Sequence, residues 1–259
     1  MKEDQNSERY VVRSVVRALD LLVAVAEAGD PVGLAALAEQ TGLNPSTAYR
    51  LLESLASRNF VRQAPGAGYV LASRAVDVGA AFLRRVSVWE ASRDLADALA
   101  ERTGETASVG ILDEGQVLYI AIAQAQRELG IQSQAGARHP VHCTALGKAL
   151  LAELDWEQAQ EVLLARGMPR RTDSTLTTLP EMRAELQRVR EDGYAVDHEE
   201  RVPDVVCLAA VLHDESGGPV GAVSVSGPAF RVREHLPALA DAVVAAARSG
   251  SRRLGAVPA

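Results

Sequence analysis

Apolar residues in the first third of the chain recur at helical spacing. Val15, Ala18, Leu19, Leu22, Val25 and Ala26 predict an amphipathic helix from Ser14, a plausible N-cap, to Ala28, stopped by Gly29 and Pro31. Leu34, Leu37 and Ala38 mark a second short helix over 34–41, ended by Gly42. A third opens with Asn44 in the N-cap position and Pro45 in the first helical position, where a missing N–H costs nothing. Ala48, Leu51, Leu52 and Leu55 then share its inner face, and Ser46, Thr47, Tyr49, Arg50 and Ser54 point outward. Asn59 stands where this helix must stop and tolerates the left-handed backbone almost as glycine does. Two short helices joined through a tight glycine turn predict a helix-turn-helix. Phe60–Gln63 and Tyr69–Leu71, separated by Ala64-Pro65-Gly66-Ala67-Gly68, predict a β-hairpin set after it as a wing. Ala75, Val78, Gly79, Phe82 and Leu83 predict a linker helix over 73–86.

Beyond residue 86 the pattern alternates between helical and strand periods. A helix is expected over 88–102, then a hairpin of 106–112 and 117–122 around Asp113-Glu114-Gly115. A strand is expected over 129–134, and helices over 144–154, 157–164 and 180–191, with a polar loop at 170–178. Strands at 194–196, 205–212 and 220–226 precede a last helix over 234–249. Helices flanking an antiparallel sheet indicate an α+β chain whose second domain is a sensor of the GAF kind. The expected domains are a disordered N-terminus (1–10), a winged helix-turn-helix (11–72), the linker helix (73–86), a GAF-like effector domain (87–250) and a tail (251–259).

Charge sharpens this picture. The chain of 259 residues has a net charge of −7, which by itself argues against a nucleic-acid partner. Residues 1–85, however, carry ten Lys and Arg against nine Asp and Glu, and residues 40–74 carry four arginines against one acid. DNA affinity depends on that local field and not on the chain total. The first turn of the Asn44 helix is small and polar enough to approach base edges. Asn44, Ser46, Thr47, Tyr49 and Arg50 are therefore the expected base and phosphate contacts, with Arg13, Arg17, Arg62 and Gln63 on the DNA backbone. The first ten residues lack the apolar core of a secretory signal, and the longest apolar run, Val205–Leu212, is eight residues, against the roughly 20 that span a bilayer. With only two cysteines, Cys143 and Cys207, a cytoplasmic protein without membrane contact is expected.

The chemistry of enzymes finds little footing. The chain lacks a G-x-S-x-G elbow, a P-loop, a G-x-G-x-x-G after a strand and an H-E-x-x-H. His139, His142, Cys143, His198 and Cys207 show no compact ligand spacing, so no metal, cofactor or catalytic residue is expected. A pocket has better support. Ser224 and Ser226 fall two apart on one strand, as do Cys207, Ala209 and Val211 on another, so each set shares a face. Cys143-Thr144-Ala145-Leu146-Gly147 opens a helix whose free N–H groups favour a carboxylate. Two rivals stand beside a DNA reader with a ligand pocket: an enzyme using Cys143 or Cys207 as a thiol, and a ligand-free interaction module that no longer reads DNA.

SVVRALDLL (14–22), LAALAEQTGL (34–43), NPSTAYRLLESL (44–55) and NFV (59–61) resemble the helix-turn-helix of the IclR family of bacterial transcription regulators. The resemblance continues through TGET (103–106), GARHPVHCTALGKALLAEL (136–154), GYAVDHEE (193–200), VCLAA (206–210) and AVSVSGP (222–228), so it spans almost the whole chain. It implies a dimer or tetramer, an operator with dyad character, and a small organic or aromatic acid as effector, in a regulator of catabolic genes that is more often a repressor. It places the effector against Leu129, Ala145, Leu146, Asp197, Cys207, Ser224 and Ser226, with Cys143 at the helix start and His139 offering a cationic or donor contact. Asn59, Asp204 and Val211 depart from the family's usual Gly, Gly and Pro, and the last two are expected to reshape the pocket mouth.

Overall fold

The computed structural model describes residues 11–66, 68–83, 88–124 and 134–256. The chain divides into two compact units, residues 1–85 and 86–259. In the first, α1 (Arg13–Glu27), β1 (Val32–Gly33), α2 (Leu34–Gln40), α3 (Pro45–Ala56), β2 (Val61–Gln63), β3 (Gly68–Leu71) and α4 (Ser73–Leu83) follow in order. Leu21, Ala24 and Val25 of α1, Leu37 and Ala38 of α2, and Ala48 and Leu52 of α3 share one core with Val61 and Tyr69. The packed face of α1 is thus turned from the expected one, leaving Val15 and Leu19 exposed. The helix carries apolar residues on two faces, and periodicity alone does not say which is covered. Nor does Ser14 cap α1: Val12 is the N-cap and Ser14 lies inside the first turn.

The start of α3 follows from three residues. Asn44 Oδ1 accepts the Thr47 N–H at 2.8 Å, and Pro45 occupies the first turn. At the other end Asn59 adopts φ +60°, and the Phe60 N–H reaches the Leu55 carbonyl at 3.0 Å, which closes the helix and turns the chain into β2. The wing is a three-stranded sheet in the order β1-β3-β2, because Val32 and Gly33 pair with Tyr69 and Gly68. That third strand was not expected; two residues are too short to show an alternation. Gly68 makes it possible, since a Cβ there would stand 2.8 Å from the Pro31 carbonyl carbon.

The second unit contains α5 (Trp89–Thr103), β4 (Thr106–Asp113), β5 (Gln116–Ala123), β6 (Arg138–Pro140), α6 (Ala145–Ala152), α7 (Trp156–Arg166), α8 (Leu179–Asp192), β7 (Ala195–His198), β8 (Val205–His213), β9 (Pro219–Pro228), α9 (Ala229–Glu234) and α10 (Leu236–Arg253). Its six strands form one antiparallel sheet in the order β6-β5-β4-β9-β8-β7. Alternation along β8 divides the helices. Leu212 faces α5 and α10, where a Cβ at Gly250 would meet it at 2.6 Å, while Ala209 joins the core beneath α6 and α8. Gly250 therefore lies inside α10, which runs four residues past the expected end. The expected strand at 129–134 lies outside the described residues, apart from Gln134, which is in no strand.

Every residue of α6 is buried, Lys148 included. The Lys148 ammonium donates to Glu185 Oε1 of α8 at 2.8 Å, to Glu200 Oε1 at 2.5 Å and to the Val196 carbonyl of β7. These bonds hold α6 across the sheet. Gly147 allows its close start: a Cβ there would stand 2.3 Å from the Val141 carbonyl oxygen and 2.4 Å from Val141 Cα. In an ordinary helix interior, alanine is favoured over glycine by about 1 kcal/mol. Here the obstructing atoms are backbone, so Gly147→Ala is expected to lose about 1–3 kcal/mol instead. Urea unfolding reads the difference, and a variant as stable as the parent would contradict the close approach.

Candidate functional site

Two surfaces carry the polar groups singled out by the sequence. On the first unit, Ser46, Tyr49 and Arg50 are exposed along the first turns of α3, and Thr47 is half-buried. The Ser46 hydroxyl donates to Asn44 Oδ1 at 2.9 Å. Asn44 is therefore spent mainly on the helix cap, and its amide nitrogen is the part left to meet another molecule. Arg13 and Arg17 are exposed on α1, as are Arg62 and Gln63 on β2. All of these stand on elements fixed by the small core, so the side chains project from a rigid base.

On the second unit, the α6 face of the sheet is hollowed into a cavity of about 260 Å³. Register explains its polarity. Ser108, Ser224, Ala209 and Ala195 form one row across β4, β9, β8 and β7, and Thr106, Ser226, Cys207 and Asp197 form the next. Successive rows on one face are two residues apart, so hydroxyls repeat along the wall. Ala145 and Leu146 border the opening with the first turn of α6, whose N-cap is Thr144; Thr144 Oγ1 accepts the Gly147 N–H at 3.2 Å. The N–H groups of Ala145 and Leu146 precede the intrahelical ladder, the position from which helix starts bind anions. Arg201 also lines the cavity, and among the described residues it has no carboxylate partner. Its charge adds to the burial that lowers His139 and opposes the burial that raises Tyr119, Cys143 and Cys207.

Of the expected pocket residues, Ala145, Leu146, Asp197, Cys207, Ser224 and Ser226 are brought together here. Leu129 lies outside the described residues. Cys143 is fully buried and does not reach the wall. His139 sits behind it, edge-on to Tyr119 with ring centroids 4.9 Å apart. Burial, aided by the Arg201 charge, pushes His139 down to about 4, so the expected cationic contact is absent at neutral pH. Asp204 and Val211 do not border the cavity either; Asp204 adopts φ +60°, a conformation in which glycine is at ease.

Several wall residues escaped the sequence reading. Thr106 and Ser108 repeat the i, i+2 hydroxyl pattern of Ser224 and Ser226 on the neighbouring strand, a signal that was available. Val205 extends the Cys207 face of β8 by the same i, i+2 rule, whereas Tyr119, Arg201 and Val202 gave no such signal, because loop closure and strand order bring them in. Lys148 could have been noticed as one cation in an otherwise apolar helix. Burial pushes both thiols, Cys143 and Cys207, up to about 12, which leaves them protonated and poor nucleophiles. Among the described residues no three His, Cys, Asp or Glu side chains gather as a metal site, and no helix is long and apolar enough to cross a membrane.

Known proteins share this arrangement. The family model described as the bacterial transcriptional regulator IclR C-terminal domain matches residues 80–252, and the IclR helix-turn-helix domain matches residues 14–65. The chain is 35% identical over 239 residues to the HTH-type transcriptional regulator BhcR of Paracoccus denitrificans (strain Pd 1222), covering 92% of this chain and 85% of that one. It is 34% identical over 226 residues to the transcriptional repressor IclR of Escherichia coli (strain K12), covering 86% and 82%. The crystal structure of the Thermotoga maritima IclR superposes with a TM-score of 0.79 at 27% identity, covering 94% of this chain and 99% of that one. These relatives are transcription regulators, not enzymes. Read together with the helix-turn-helix and the sheet-backed second unit, the matches establish that the chain belongs to the IclR family of DNA-binding bacterial transcriptional regulators.

Proposed function

We propose that this regulator is a cytoplasmic repressor of a catabolic operon, released from its operator by a small organic or aromatic acid. The observation that carries the acid is Arg201, a cation on the cavity wall with no carboxylate partner among the described residues, sharing that cavity with the first turn of α6. A carboxylate there would meet a positive charge, two free N–H groups and a choice of hydroxyls. The volume, about 260 Å³, is below the roughly 300–1,000 Å³ of drug-sized sites and suits a compact metabolite.

On the DNA side, Ser46, Thr47, Tyr49 and Arg50 are assigned to the major groove, with Asn44, Arg13, Arg17, Arg62 and Gln63 on phosphates and the groove edge. Two copies, as a dimer or within a tetramer, would set two such helices about one helical turn apart on an operator with dyad character. The acid would act by favouring one relative placement of the DNA-reading units over another. A coupling of about 1–3 kcal/mol would change operator affinity roughly 5–150-fold.

Arg50→Ala is expected to weaken operator binding by about 1–3 kcal/mol in a gel-shift titration on the intergenic DNA beside the gene. Unchanged affinity would take Arg50 out of the interface. Arg62→Ala should instead weaken binding to all sequences alike and reduce the salt slope by about 1. For the cavity, thermal shift with acetate, lactate and benzoate identifies which acids bind. The double variant Ser224→Ala and Ser226→Ala should lose that shift, and the release of DNA that goes with it, while binding the operator as the parent does. Release that persists undiminished in the double variant would place the acid elsewhere.

A further inference from the structure

The wall at the end of β7 holds more carboxyl groups than its buried cation can serve. Asp197 is 2% exposed on the cavity wall, and its Oδ1 accepts the Glu200 N–H at 2.7 Å. Glu200 is 3% exposed; its Oε1 meets Lys148, while its Oε2 has no hydrogen-bond partner among the described residues. Lys148 is already shared with the Val196 carbonyl and with Glu185, which Arg188 of α8 also holds at 2.7 Å, so neither cation is left for Asp197.

The other ionisable groups around Asp197 do not relieve this. Tyr119 of β5, Cys207 of β8 and Cys143 ahead of α6 are all held neutral by burial. Arg201 lines the same cavity and gives Asp197 its backbone N–H. Burial raises Asp197 to about 7, against the Glu200 N–H that lowers it, and burial raises Glu200 too, against the pull of Lys148. Two adjacent buried carboxyls of this kind share protons as a unit. A negative charge placed beside them disfavours their ionised form further.

We infer that an anionic ligand enters this cavity together with one proton, held on Asp197 beside Glu200, so that occupancy reports acidity as well as ligand supply. The inference rests on the acid-binding reading above. The only bond formed is O–H on a carboxylate of the pair, and the proton comes from solvent. The sign follows from the empty site. Well below pH 7 Asp197 already holds its proton, so binding takes up almost none. Above pH 7 binding takes up nearly one, and affinity falls as pH rises.

Isothermal titration of the full-length protein with lactate, in phosphate and in Tris, reads both quantities. Lactate stays ionised from pH 6 to 8, and neither His139, at about 4, nor the thiols, at about 12, changes charge there. The lactate dissociation constant is expected to rise about tenfold from pH 6 to pH 8. The heats at pH 8 should differ between the buffers by close to one proton's worth of buffer ionisation. Neutral lactamide should show neither effect, and Asp197→Asn should bind lactate with an affinity independent of pH. Equal heats in the two buffers with a pH-independent constant would overturn the inference while leaving acid binding intact. A variant that keeps the tenfold slope would also overturn it. If lactate, acetate and benzoate all give no heat at any pH, the acid-binding reading falls, and this inference with it. Should Asp197→Asn fail to fold, the two-buffer comparison on the parent protein still decides.

Discussion

The second unit depends on one buried ammonium. Lys148 has no exposed surface, and its three partners come from α8, from β7 and from the turn that follows β7. A charge taken out of water is tolerable only where its partners are fixed, and removing one partner of such a pair costs about 3–5 kcal/mol. The constraint acts in both directions. The carboxylates and the carbonyl must converge on the ammonium, and α6 must lie where its stem can reach them. The first turn of α6 and the hydroxyl rows of the sheet are thereby set against each other, with a gap between them that becomes the cavity.

The first unit is held by local geometry instead. Asn44 fixes where α3 begins, Asn59 fixes where it ends, and Gly68 lets β3 pair beside Pro31. Its core is small, so these terminal devices matter in proportion. Their joint effect is to leave the outer face of α3 clear while its inner face is buried. An exposed helix turn on a stiff base suits groove recognition, because little ordering remains to be done on binding.

Much of this was legible in the residues. Helical spacing, the Asn44-Pro45 start, the Asp113-Glu114-Gly115 turn and the paired serines of β9 each state a local rule that the fold obeys. What escaped was non-local. The two-residue β1 has no periodicity to detect, and Arg201 lines the cavity from the β7–β8 connection, a placement that no local pattern encodes. The misjudged face of α1 has another cause: Val15 and Leu19 are as apolar as Leu21 and Val25, and a sequence does not say which side finds a neighbour. His139 shows the same limit in electrostatics, since its charge is decided by burial and by an arginine 62 positions away.

The cavity wall is assembled from strands that begin at Thr106 and end near Ser226, so it exists only in the folded chain. Anything that occupies it binds the native state and not the unfolded one. An occupant present at a hundredfold its dissociation constant adds about 2.7 kcal/mol to the unfolding free energy. Supply of that occupant thus also governs how seldom the chain opens to proteases. With such an occupant, the abundance of the regulator in the cell would be tied to the molecule in its interior.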